Sequence, residues 1–98
     1  MTLQEREARA CAIIDSMAQE LRAVSLYLHD NPELGLNEHK AVKAIHQFLE
    51  KQNFISQVGL ADIRELQTAL RADYRGNAKY KIAFLGEYDA LPELGHGC

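Results

Sequence analysis

Glu87, Asp89, His96 and Cys98 place two carboxylates, an imidazole and a thiol within twelve residues. A zinc ion takes all three ligand chemistries, and a catalytic zinc site keeps one position open for water. The acids follow an apolar run, Ile82-Ala83-Phe84-Leu85, and Gly86; Pro92 and Gly95-His96-Gly97-Cys98 come after them. A buried strand delivering such side chains to a loop beyond its carboxyl end is a common way for α/β folds to build a metal or catalytic site. The spacing alone is not a zinc signature, because there is no C-x-x-C, no H-E-x-x-H and no second cluster. A strand end with solvated carboxylates and a Gly-rich turn explains the same residues, so both readings stand on this pattern.

The elements that must carry this segment can be read from periodicity. Ile14, Met17, Leu21, Val24 and Leu28 recur at spacings of three and four, which predicts one amphipathic helix from about Leu3 to His29. Its opposite face carries Glu5, Arg9, Asp15, Gln19, Glu20 and Arg22. Asp30-Asn31-Pro32 breaks the helix, since the residue before a proline is pushed out of the helical region. Asn37 is the expected N-cap of a second helix, about Glu38 to Gln52, with Ala41, Val42, Ile45, Phe48 and Leu49 as its apolar face. Short strands are expected at Phe54 to Val58, closed by Gly59, and at Thr68 to Tyr74, where Leu70, Ala72 and Tyr74 alternate with Arg71 and Asp73. Ala61 to Leu66 reads as loop or a helical turn. Turn residues Arg75-Gly76-Asn77-Ala78 then lead to a strand at Tyr80 to Tyr88, buried on both faces in its middle and paired as a hairpin with the strand before it. The fold class is α/β: two N-terminal helices packed on a partial mixed sheet, within one domain over residues 1–98.

Composition narrows the function classes. The chain has 98 residues, 47% hydrophobic and 26% charged, which is ordinary globular usage. A chain this short buries only roughly two thirds of its unfolded surface, so its elements must cover one another. The net charge of −3 argues against a nucleic-acid partner. No apolar stretch approaches the ~18 residues of a membrane span. The polar Met1 to Arg9 leads into no apolar signal core, so a cytoplasmic location is the default expectation. Cys11 sits within a helical pattern and is expected to be a buried small hydrophobe; a disulfide to Cys98 is not expected in a reducing compartment.

The segment L-G-E-Y-D-A-L-P-E-L-G-H-G-C, Leu85 to Cys98, resembles the first metal-site segment of metallopeptidase family 20, the zinc-dependent amidohydrolases and dipeptidases. It is most similar to the branch holding Xaa-Arg (β-alanyl-lysine) dipeptidases and p-aminobenzoyl-glutamate hydrolases, where Gly-His-Asn typically follows the cysteine. L-H-D-N-P-E-L-G-L-N-E-H-K-A, Leu28 to Ala41, resembles the family's N-terminal helix–loop–helix motif, and Thr68 to Ala72 its next strand. The resemblance runs from about Leu21 onward.

That resemblance implies zinc or another divalent metal, with Cys98 as a metal ligand; a thiolate beside a divalent cation is deprotonated outright. Asp89 falls where the family carries a carboxylate that orients or bridges the metal, and Glu87 where other branches carry a histidine ligand. His96 matches the motif as a positioning or packing residue. Glu33 and Glu38 match the N-terminal motif, although helix capping and loop fixing explain them adequately. His29 suits the carboxyl end of its helix, while His39 and His46 are expected on the wetter side of theirs. The implied activity is hydrolysis of amide or peptide bonds in dipeptides or N-acyl amino acids, by a homodimeric parent. The expectation for this chain is the N-terminal part of such a catalytic domain, cut at the metal-site loop and inactive alone. The alternatives are a short non-catalytic protein that binds a full-length relative, or a small metal- or thiol-responsive module built on Cys98.

Overall fold

The computed structural model describes residues 1–60, 66–74, 76 and 79–92. The expectations for Ala61–Glu65, Arg75, Asn77, Ala78, His96 and Cys98 lie outside the described residues. Three helices come first: α1 (Leu3–Ser16), α2 (Ala18–Asp30) and α3 (His39–Lys51). Two strands follow, β1 (Ile55–Val58) and β2 (Leu70–Asp73). The architecture is mixed α/β, as the sequence implied.

The single long helix expected over Leu3 to His29 is in fact two. At the break the Ser16 hydroxyl donates to the Ile13 carbonyl at 2.6 Å, a local bond that competes with the helical ladder and bends helices. Met17, at φ −100° and ψ 3°, shares its N–H between the Ile13 and Ile14 carbonyls. Upstream, Thr2 caps α1 reciprocally with Glu5: Thr2 Oγ1 accepts from the Glu5 N–H at 3.1 Å, and the Thr2 N–H reaches Glu5 Oε2 at 3.4 Å. Neither α1 nor α2 contains a buried residue. Cys11, expected inside, is exposed, because the α1 face that carries it has nothing packed over it.

α3 matches its expected span to within a residue and holds most of the core, with Ala41 and Val42 at 2% and 5% exposure. Its exit is set by Asn53 in the left-handed region (φ 69°). The Phe54 N–H bonds the Leu49 carbonyl and the Asn53 N–H bonds the Glu50 carbonyl, both at 3.0 Å. This is the Schellman arrangement, which satisfies carbonyls left open at a helix end. It hands the chain directly to β1.

β1 and β2 pair antiparallel, with Ile55 opposite Asp73 and Val58 opposite Leu70. Phe54 and Tyr74 flank the pair with ring centroids 5.3 Å apart. Among the described residues the expected hairpin between the Thr68 strand and Tyr80 to Tyr88 does not form, and the sheet is the antiparallel pair β1-β2. Residues 80–89 carry no ladder; Ile82, Phe84 and Leu85 stand 81%, 91% and 100% exposed. An apolar run is buried as a strand only where a neighbour pairs with it and covers it, and among the described residues no strand pairs with this one. The chain rejoins the fold at Ala90, which bridges Leu34 in parallel and is 8% exposed. No helix among the described residues is long and apolar enough to cross a membrane.

Candidate functional site

Glu38, Glu87 and Asp89 line an open depression of about 380 Å³, walled by Gly35, Leu36 and Glu38, by Ala69 and Leu70, and by Gly86 to Asp89. Three elements meet there: the turn before α3, the approach to β2, and the acidic loop. Glu87 and Asp89 are exposed and Tyr88 between them is half-buried, the alternation of an extended backbone. Asp89 Oδ2 lies 3.5 Å from where a Cβ on Gly35 would sit, ordinary contact distance, so the carboxylate packs beside this turn. Leu36, at φ 70°, holds the turn in a conformation that bulky side chains seldom adopt.

The turn is fastened by Glu33. Its carboxylate accepts from the Lys40 N–H at 2.9 Å and from the Ala41 N–H at 2.8 Å, capping α3 from outside the helix. Asn37 was the expected cap; instead Glu38 stands at the helix start without a capping bond, and Glu33 reaches in from the loop. Desolvation pushes the Glu33 carboxyl upward, but the two backbone N–H groups, with the charges of Lys40 and His39, outweigh it and hold the group below its usual 4.5.

Glu38 faces the other way. Its Oε1 accepts from the Thr68 hydroxyl at 2.9 Å, and Thr68 is 3% exposed. The Tyr88 hydroxyl in turn donates to the Thr68 carbonyl. Burial, and then the Glu38 charge, push Tyr88 above its usual 10.0, which keeps the phenol a donor. Two residues on, the Ala90 N–H donates to the Glu33 carbonyl at 2.6 Å. Sequence reasoning did not single out Thr68 and Tyr88, the two residues that join this hydrogen-bond chain. The available signal was the Glu87-Tyr88-Asp89 alternation, which turns the tyrosine inward wherever the acids point out.

The structure therefore brings Glu87 and Asp89 together with Glu38. Among the described residues no group of three or more His, Cys, Asp or Glu is placed to hold a metal ion. These carboxylates do not make a metal centre by themselves. His29 closes α2 beside Asp30, Nδ1 to Oδ1 3.3 Å. His39 is exposed. His46 departs from its expected wet position: Nδ1 lies 2.7 Å from the Ser56 hydroxyl and Nε2 3.0 Å from Glu50 Oε1, tying α3 to β1.

Comparison with known proteins gives the site its context. The chain is 35% identical over 102 residues to the Xaa-Arg dipeptidase of Mus musculus, covering 98% of this chain and 24% of that protein. It is 30% identical over 105 residues to the Xaa-Arg dipeptidase of Homo sapiens, with the same coverage. A hydrolase of Staphylococcus haemolyticus, described only as uncharacterized, is 41% identical over 66 residues, 67% of this chain and 16% of that protein. The chain thus spans about a quarter of the length of the two dipeptidases. No family model matches it, and no solved structure does.

Proposed function

Since the chain belongs to the peptidase family of these dipeptidases and hydrolases, we propose that it is part of the catalytic domain of a metal-dependent hydrolase acting on dipeptides or N-acyl amino acids. The observation that carries this reading is the 35% identity extending over 98% of the chain. The cavity rimmed by Glu87 and Asp89 supports it from the structural side. In this reading Cys98 ligates zinc or another divalent ion and Asp89 orients or bridges it; further ligands must come from elsewhere, as two donors hold no ion tightly. Such an ion, when bound, supplies a water acidic enough to attack an amide carbonyl. The described residues contribute the acidic rim and its support. A homodimeric parent and a cytoplasmic location belong to the same proposal, as does membership of metallopeptidase family 20.

The 98-residue chain alone is expected to be inactive. Hydrolysis of a panel of dipeptides with added zinc checks this; turnover above a Cys98→Ala control would refute it. In a complete relative, replacing the cysteine aligned with Cys98 should release the metal, and metal content unchanged by that substitution would overturn the ligand assignment.

A further inference from the structure

We infer that Tyr88 and Thr68 are positioning residues: the Tyr88 hydroxyl on the Thr68 carbonyl, and the Thr68 hydroxyl on Glu38, clamp the acidic loop to the head of α3 and set where the Asp89 carboxylate stands. The inference rests on the reading of Asp89 as the metal-orienting carboxylate, but the clamp can be tested apart from it.

Upstream the loop has no support from the described residues. A Cβ on Gly86 would meet nothing within 4 Å, and Leu85 is fully exposed. Downstream, Asp89 sits between two fastened neighbours. On one side Tyr88 reaches Thr68; on the other the Ala90 N–H reaches the Glu33 carbonyl. Both tethers lead to the same place. Thr68 is bound to Glu38 immediately before α3, and Glu33 caps the Lys40 and Ala41 amides of its first turn. A tyrosine side chain has two principal torsions, so fixing the hydroxyl of the half-buried Tyr88 largely fixes its own backbone. The adjacent Asp89 then keeps its direction while its carboxylate, which accepts no hydrogen bond from the described residues, stays exposed toward the cavity. Supporting groups of this kind hold a reactive side chain within a narrow range of positions.

The test uses the 98-residue chain with Tyr88→Phe, Thr68→Val and Thr68→Ser, and two readouts. The first is amide exchange at Ala90, compared with the β1–β2 ladder. Tyr88→Phe and Thr68→Val should each speed Ala90 exchange ~5-fold, as one lost hydrogen bond predicts, with the ladder unchanged. Thr68→Ser, which keeps the hydroxyl, should match the parent. Unchanged Ala90 exchange in both loosening variants, equal acceleration throughout the ladder, or failure of Thr68→Ser to rescue would each overturn the clamp. The second readout is paramagnetic broadening of the Asp89 side-chain signals by Mn²⁺. Its titration midpoint should rise ~10-fold in Tyr88→Phe, the lower end of what supporting partners are worth to metal affinity. A midpoint unmoved in that variant overturns the positioning role. If Mn²⁺ leaves Asp89 untouched in the parent chain while Ala90 still loosens, the positioning of Asp89 toward an ion is overturned for this chain and only the clamp stands.

Discussion

Tyr80 to Leu85 and Gly86 to Ala90 are consecutive stretches with opposite fates. The first is the more apolar, yet Ile82, Phe84 and Leu85 face solvent. The second is acidic, yet it returns to the core through Tyr88 and Ala90. Apolar character supplies a drive to be covered but no direction; the few polar bonds at Thr68 and Glu33 supply direction.

The widest separation between the two kinds of region is expected from paired aspartates. Val42→Asp buries an unpaired charge under α3 and should cost at least ~3 kcal/mol, enough to melt the α3–β1–β2 unit in a urea titration followed by circular dichroism. Retention of the parent midpoint would mean that this region is not the core. Glu33→Gln should cost about 1 kcal/mol by weakening the external cap of α3. Its pH dependence has a definite sign. The folded carboxyl titrates below its usual 4.5, so the cap's contribution is complete above that value and is lost as pH falls through the lower folded one. Unfolding midpoints of the parent and Glu33→Gln chains should therefore converge on acidification below pH 4.5; a constant gap would remove Glu33 from the cap. The smallest effect on stability is expected at Leu85→Asp, within about 0.5 kcal/mol. Light scattering should instead show less self-association, because a charge interrupts an exposed strand-forming run. A large loss of stability there would show that Leu85 is packed.

Much of the fold was legible where one face of an element decides its fate. α3 and β2 each have a periodic apolar face and a nearby surface to receive it, and they and β1 lie within a residue or two of their expected spans, although Ile55 and Val58 of β1 stay exposed. The break at Met17 was not legible, because Ser16 fits a helix until its hydroxyl turns back onto Ile13. Nor was the idle strand at 80–88, since periodicity reports what a segment can bury and says nothing of whether a neighbour is present. At the site, residue types showed the acids, while spacing could not show that Thr68, twenty residues away, would receive Tyr88. His46 misled for a related reason: a histidine on a helix looks solvent-facing until a strand serine arrives beside it.

The tight exit from α3 at Asn53 also shapes the order in which contacts can form. It brings His46 to Ser56 across only ten residues, whereas Glu38 must find Thr68 across thirty. Closing the longer loop costs roughly 1 kcal/mol more chain entropy than closing the shorter one. The helix and its first strand are thus the natural nucleus, and the acidic loop is fastened onto a scaffold already assembled.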